Sequence, residues 1–393
     1  MNDKQIEKLI KTETLRQKQT INLIASENFT SNDVRQALGS VFVNKYAEGY
    51  PKARYYGGNQ VVDKLEELCI KRALKLFKLS AYRWAVNVQP YSGSPANMAV
   101  YLALASTHDK IMGLDLRAGG HLTHGHKVSA SGKLWSAVSF DVDPKTQQLN
   151  YDKLEKIALK AKPKIIIAGF TAYPRKINWR RFKSIAKMVD AYLMVDASHV
   201  AGLIAGQVYP SPFPYADVVT MTTHKTLRGP RGAMIFSRRD KRGIFKKIDR
   251  AVFPGLQGGP HENQIAAMAV CLDEAIKPEF KKYTSQVIKN AQTLVRELKK
   301  RNWEIITGGT DSHLLLVDVF NSTNGRLTGS QAEKILETAG IIVNKNSLPF
   351  DSRPPTDPSG IRLGTAAETT RGKTEKDFKN IAIIIDKLLR YEN

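Results

Sequence analysis

The chain has 393 residues, 42% of them hydrophobic and 25% charged, with 60 Lys and Arg against 37 Asp and Glu and a formal net charge of +23. This is the composition of a soluble globular protein, and the length suits two ordinary domains better than one simple core. A membrane-spanning bundle is excluded, because no apolar run approaches the roughly 20 residues that a bilayer helix needs.

The start, Met1-Asn2-Asp3-Lys4-Gln5, is charged and leads into no apolar stretch, so a cytoplasmic rather than a secreted protein is expected. Residues 1–45 read as an N-terminal arm: a polar amphipathic helix, then Ile21-Asn22-Leu23-Ile24-Ala25-Ser26-Glu27-Asn28. Residues 46–275 alternate short apolar strands with longer helices. Strands are expected at 84–88, 110–114, 137–142, 165–169, 193–196, 218–222 and 233–237, and helices between them, for example at 94–104, 151–161 and 179–189. Several of these strands are continuous apolar runs, the mark of a mostly parallel sheet covered on both faces. The fold class is therefore α/β, a large domain built on a seven-stranded, mostly parallel sheet.

A helix from 262 to 275 closes that domain, and Lys277-Pro278-Glu279 interrupts it. Residues 276–393 read as a smaller α+β domain: a long charged helix at 280–301, strands at 304–307, 314–319, 341–344 and 361–363, and helices at 329–338 and 374–389. Cys69 and Cys271 sit at apolar helical spacing and read as buried free thiols, not a disulfide or a metal site. The lysines are spread over helix faces such as 153–164 and 281–300 with carboxylates between them. That dispersal argues for a basic surface that favours anionic ligands and against a nucleic-acid-binding protein.

The chemistry concentrates at strand ends. Tyr192-Leu193-Met194-Val195-Asp196 reads as a buried strand ending in a carboxylate, and Thr220-Met221-Thr222-Thr223-His224-Lys225 as the next strand running out to a lysine. That pair is what a pyridoxal phosphate enzyme needs. The lysine amine forms a Schiff base with the cofactor aldehyde, and the aspartate keeps the pyridine nitrogen protonated so that the ring accepts electrons. Tyr91-Ser92-Gly93-Ser94-Pro95 can present backbone donors to a phosphate at a helix N-terminus, or can be an ordinary capped helix; its delivery to the same sheet edge favours the phosphate. Phe253-Pro254-Gly255-Leu256-Gln257-Gly258-Gly259-Pro260 is a second glycine loop able to close over that group.

Gly119-Gly120-His121-Leu122-Thr123-His124-Gly125-His126 holds three histidines. Their spacing is not that of a zinc helix, so no metal is expected; His121 is expected to stack on a planar ring, and His124 and His126 to be structural or solvent-facing. His199 stands near the end of the Asp196 strand, either bonded to the lysine or ring hydroxyl or as a satisfied structural histidine. Four tyrosines, Glu48 and Arg54 crowd the glycine-punctuated stretch 46–58, as in a packed loop or interface, or as proton carriers and substrate clamps. Arg362, between glycines on a short strand, suits bidentate capture of a carboxylate, and equally a structural ion pair.

Taken together, LIASEN (23–28), NKYAEGYP (44–51), RYYGG (54–58), GGHLTHG (119–125), TTHKTLRGPRG (222–232), QGGP (257–260) and VNKNSLP (343–349) resemble the serine hydroxymethyltransferase family over nearly the whole chain. The resemblance implies a fold type I pyridoxal phosphate enzyme that interconverts serine and glycine through a cofactor aldimine and a glycine quinonoid, with tetrahydrofolate taking the one-carbon unit. It implies a homodimer or dimer of dimers with active sites at the subunit interface. Lys225 would carry the cofactor, Asp196 would meet the pyridinium, His121 would stack on the ring, and His199 would lie near the aldimine. Ser92, Gly93 and Ser94 would bind the phosphate with Tyr46 and Gly259 of the other subunit. Ser26 and Arg362 would hold the substrate carboxylate, Glu48 and Tyr56 would act near the serine hydroxyl, and His224 would bear on substrate choice. Leu116, Gly120, His121, Leu122, Asn346, Pro354, Pro355 and Thr356 would contact folate. The chain departs from the family pattern at Tyr91, where histidine is usual, at Pro95, at Phe29 and most of all at 352–357. Two rivals are a folate-independent threonine-type aldolase and a basic nucleic-acid-binding protein. The first has no use for the VNKNSLP and GGHLTHG elements, and the second has no use for the Asp196–Lys225 pair.

Overall fold

The structure is a computed structural model that describes residues 1–391. Its centre is a seven-stranded sheet of β1 (Trp84–Asn87), β2 (Lys110–Leu114), β3 (Ser136–Phe140), β4 (Ile165–Ala168), β5 (Tyr192–Asp196), β6 (Val218–Thr222) and β7 (Ala233–Arg238). The spatial order is β1-β7-β6-β5-β4-β2-β3. Only β7 runs against its neighbours, β1 and β6; every other pairing is parallel.

Strand side chains alternate between two buried layers, as a period of two requires when helices cover both faces. Ile166, Leu193, Val195 and Val219 join Trp179 and Phe182 on one side. Ile165, Ile167, Met194 and Val218 join Tyr101 and Trp135 on the other. Helix ends are fixed locally. Asn150 and Asn178 accept first-turn N–H bonds from Lys153 and Arg181, and Pro278 opens the helix Pro278–Lys299 at a position where its missing N–H costs nothing.

The C-terminal part is a four-stranded antiparallel sheet, Glu304–Ile305, Leu314–Asp318, Gly360–Gly364 and Asn344–Asn346 in spatial order. Its core packs Leu315, Val317, Ile361 and Leu363 against Leu294, Leu298 and Phe378. The stretch 341–344 does not form one strand. Ile341–Ile342 pairs with Ile21–Asn22, Asn344–Asn346 pairs with Gly360–Gly364, and the chain changes partner at the buried Val343. The strand at 304 stops at Ile305 because Thr307 turns the backbone with φ 61°.

Two close approaches place the site. The arm is seated in the C-terminal part: Leu23 lies in its core, the Gly364 N–H donates to the Leu23 carbonyl at 2.7 Å, and a Cβ on Gly364 would stand 2.4 Å from Ala25 Cα. This carries Ser26 and Glu27 to the edge of the large sheet. Gly169, following β4 at φ +104°, allows its backbone to pass Asp196, whose carbonyl oxygen a Cβ there would meet at 2.0 Å. Gly169→Ala is expected to destabilise the protein by about 2–4 kcal/mol through backbone strain and that clash, measured as a lowered denaturant midpoint.

Candidate active site

The carboxyl ends of β1, β2, β4, β5 and β6 all open on one side of the sheet, the usual place for a ligand in such folds. There a cavity of about 300 Å³ is lined by Ser26, Ser92, Ser94, His121, Asp196 and Lys225, among others. His199 and His224 border it too.

Asp196 ends β5, and its environment keeps it ionised. Burial works to raise its pKa, but the His124 hydrogen bond and charge, with help from the Ser198 N–H, outweigh burial and hold it well below the usual carboxylate range. Asn97 Nδ2 reaches Oδ2 at 2.9 Å, His124 Nε2 reaches the same oxygen at 3.1 Å, and the Ser198 N–H reaches Oδ1 at 3.1 Å. A carboxylate has about four lone-pair sites, so room remains for one more donor.

Lys225 follows β6, and its Nζ donates to Thr222 Oγ1 at 2.9 Å. Burial pushes its pKa down to about 8; Asp196 opposes this, and Arg362 and Arg231 add to it. About a tenth of the amine is then unprotonated at neutral pH, far more than for a surface lysine.

His121 is fixed as a neutral ring. Its Nδ1 accepts from the Thr123 N–H at 3.2 Å and lies 2.7 Å from Thr123 Oγ1, which itself takes a bond from Asn97. Burial lowers the His121 pKa to about 4, and His124 adds to that. His199 is also driven well below its ordinary value, first by burial and then by Lys225 and Arg362. Its ring stacks at 5.5 Å on His313, whose Nε2 donates to the Ala25 carbonyl at 3.1 Å. Burial lowers His224 to about 3, helped by Lys225.

Ser92 precedes the helix Gly93–Leu104 and makes no side-chain cap bond, so its hydroxyl and the Gly93 and Ser94 N–H groups face the cavity edge free of capping duty. A Cβ on Gly93 would press within 2.7 Å of Thr222 Cγ2, so the loop lies directly on β6. Arg362 does not itself line the cavity; it is buried beside Thr171, which does, with Nε on Asn344 Oδ1 at 3.1 Å and Nη1 on the Thr171 carbonyl at 3.0 Å. Burial lowers its pKa to about 10.

Other expected site residues lie outside this cavity. Tyr46, Glu48 and Gly259 form a second cluster: Tyr46 Oη donates to Glu48 Oε1 at 3.1 Å, and a Cβ on Gly259 would sit 3.5 Å from the Tyr46 ring. The Tyr56 ring meets Tyr46 edge-on at 5.1 Å, and both are half exposed. Leu116, Gly120, Leu122, Asn346, Pro354, Pro355 and Thr356 do not line the cavity. Gly120 is backed against the Leu114 carbonyl, where a Cβ would come within 2.0 Å. Asn346 ends a strand, and the Thr356 carbonyl accepts from Lys345 Nζ at 2.7 Å.

Of the two expected readings of His124, structural or solvent-facing, the structure takes the first: it is buried against Asp196, an anion that needs a donor in a place water does not reach. Sequence reasoning missed Asn97, Thr222 and His313. Asn97 was visible as a lone amide in the otherwise apolar run Ala96-Asn97-Met98-Ala99-Val100. Nothing in its local pattern marks His313.

The fold and this site define a fold type I pyridoxal phosphate-dependent enzyme: the residues fit that cofactor, with an anchoring amine, a carboxylate kept anionic for a pyridinium, and uncapped donors for a phosphate. The chain matches the family model described as serine hydroxymethyltransferase over residues 1–385. It is 51% identical over 390 residues to the serine hydroxymethyltransferase of Onion yellows phytoplasma (strain OY-M), covering 99% of this chain and 92% of that protein. Similar matches are the serine hydroxymethyltransferases of Lactobacillus gasseri, 53% identical over 381 residues (97% and 90% covered), and Desulfotalea psychrophila, 52% over 387 residues (98% and 88% covered). The chain belongs to the serine hydroxymethyltransferase family.

Asn97→Ala removes one of the donors on a buried anion, a bond of about 1.5–3 kcal/mol. It is expected to weaken cofactor retention about tenfold or more, measured by the loss of bound pyridoxal phosphate on dialysis.

Proposed function

We propose that this enzyme interconverts serine and glycine, with tetrahydrofolate accepting the one-carbon unit as 5,10-methylenetetrahydrofolate. The observation that carries this is the strand-end pair Asp196 and Lys225 on one cavity, in a chain that matches the family model over residues 1–385. Pyridoxal 5'-phosphate, when bound, supplies an electron sink for negative charge at the substrate Cα.

The chain's own residues divide the remaining work. Lys225 is the attachment point, and its lowered pKa keeps part of the amine nucleophilic near neutrality. Asp196 holds a ring-nitrogen proton in place through the unused side of its carboxylate. His121, neutral above about pH 4, offers a flat face without adding positive charge beside that proton. Ser92, Gly93 and Ser94 take the phosphate at the start of their helix. Arg362, already oriented by Asn344 and Thr171, and Ser26, brought in by the seated arm, take the amino-acid carboxylate. His199 stays neutral beside Lys225, and His224 flanks the amine on the cavity wall.

Glu48, Tyr56, Tyr46 and Gly259 are assigned to the cavity of a second copy in a homodimer, or a dimer of dimers, with shared sites. Their support is that they cluster away from this chain's own cavity, with both tyrosine rings half exposed. Glu48 handles the proton of the serine hydroxyl, and Tyr56 lies beside it. Folate contacts fall to Leu116, Gly120, His121, Leu122, Asn346 and the exposed Pro354-Pro355-Thr356 segment. No helix among the described residues is long and apolar enough to cross a membrane. The two buried free cysteines, Cys69 and Cys271, suit a cytoplasmic location.

A folate-independent aldolase is separated from this assignment by the folate response: tetrahydrofolate is expected to accelerate serine cleavage, and an unchanged rate contradicts the assignment. Glu48→Gln is expected to keep cofactor and glycine binding yet lower folate-dependent turnover about 100-fold or more, the scale of a lost general acid–base. Steady-state kinetics with serine and tetrahydrofolate, beside a glycine titration, measure both.

A further inference from the structure

Outside the cavity, three carboxylates converge on one guanidinium beneath the Glu48 loop. The Arg54 side chain is 5% exposed; its Nε donates to Asp63 Oδ1 at 2.9 Å and its Nη2 to Glu66 Oε1 at 2.8 Å. Its Nη1 donates to the carbonyls of Ala47 at 2.8 Å and Gly49 at 2.9 Å, the residues on either side of Glu48. Gln89 Nε2 bonds both Glu66 oxygens, at 3.2 and 3.1 Å, and the Gly49 carbonyl at 2.9 Å.

Glu262 completes the group. It is the first residue of the helix Glu262–Ile276, it is 1% exposed, and neither of its carboxyl oxygens receives a hydrogen bond. Its helix packs on the helix Gln60–Leu76 that carries Glu66, whose charge is the strongest acting on its carboxyl. A helix N-terminus favours an anion by about 1 kcal/mol, but a buried carboxylate with no donor, set against another carboxylate, costs more. Arg54 is already committed to Asp63 and Glu66, and Lys52, the next cation, serves Asp63 and Glu67 at the rim. Two further titratable neighbours are neutral: the Cys69 thiol is pushed up by burial and then by Glu66, and the Tyr50 hydroxyl is pushed up by burial and then by Asp249.

We propose that Glu262 is a protonated acid that donates a hydrogen bond to Glu66, and that this shared proton sets Arg54 and, through it, the backbone on both sides of Glu48. The same residue follows the second segment of that cluster in the chain. The turn just before it, Gln257-Gly258-Gly259, places Gly258 where a Cβ would lie 3.1 Å from Glu48 Oε1. Tyr91 Oη donates to the Gly259 carbonyl at 2.8 Å, and the Tyr91 ring stacks on His261 at 4.0 Å. Glu262 touches neither substrate nor cofactor and is a positioning residue; its kinetic effect rests on the assignment of Glu48 above.

The sign of the pH effect follows from the pairing. Burial and then the Glu66 charge raise the folded-state pKa of Glu262 above its ordinary value. The stability this proton contributes is complete below the unfolded-state pKa and is lost as pH rises through the folded-state one. Once the proton leaves, two anions compete for Arg54, the Ala47 carbonyl loses its Arg54 donor and the Gly49 carbonyl keeps only Gln89, and kcat falls on the alkaline side.

The test compares wild-type, Glu262→Gln and Glu262→Ala holoenzymes by infrared difference spectroscopy and by serine kinetics from neutral to alkaline pH. The wild-type minus Glu262→Gln spectrum should show the carbonyl stretch of a protonated carboxylic acid at neutral pH. Glu262→Gln, which keeps a donor toward Glu66, should hold kcat within about twofold at neutral pH and lose the alkaline decline. Glu262→Ala should lower kcat about tenfold or more, with serine KM and cofactor content little changed. A difference spectrum with only ionised-carboxylate bands overturns the proposal, as does a Glu262→Gln enzyme that keeps the wild-type alkaline decline or a Glu262→Ala enzyme with unchanged kcat. If Glu262→Ala does not fold, the spectrum and the Glu262→Gln profile decide. A wild-type protein that forms no glycine from serine and tetrahydrofolate instead removes the functional assignment, and the infrared result still judges the proton.

Discussion

Asp196 sits at the end of the central strand β5, where burial alone would neutralise a carboxyl group. Asn97 from the helix after β1, His124 from the loop after β2 and the Ser198 N–H just beyond β5 together keep it an anion. Those donors come from separate parts of the chain, so the sheet order that brings them together is a requirement of the charge. Gly169 must lack a side chain to let β4 end beside this residue, and Thr123 must bridge Asn97 to His121. Lys225 is then held beside a fixed negative charge in a buried place, which tempers the loss of its proton without preventing it.

Much of the fold was legible because apolar runs in a parallel sheet carry a strong signal. Lys110–Leu114 and Val218–Thr222 match their expected strands residue for residue, and the other central strands shift by one or two positions at their ends. The segment at 341–344 was misread because a single extended run can serve two sheets, and only tertiary partners decide where it breaks. In sequence, residues 1–45 read only as an N-terminal arm, with no partner named for it. Its seating depends on the bare backbone of Gly364 and on Arg371 donating to the Thr20 carbonyl at 2.7 Å, contacts more than 300 residues apart.

Within the site, the residues with a motif around them were legible and their supports were not. Asp196, Lys225, His121 and Ser92 announce themselves by position at strand ends. Asn97, His124 and His313 act through another side chain, and their partners lie far away in sequence. The acid pair of Glu66 and Glu262 was invisible for the same reason: each reads as an ordinary helix carboxylate until the two helices pack. Tyr91, read in sequence as a departure from the family pattern, bonds the Gly259 carbonyl and stacks on His261.

The central claim is that one amine, beside one buried carboxylate, carries the cofactor. Borohydride reduction of the pyridoxal phosphate-loaded protein, followed by peptide mapping, tests it most directly. The label is expected on the peptide containing Lys225, at about one equivalent per chain. A label spread over other lysines, or no label at all, contradicts the account.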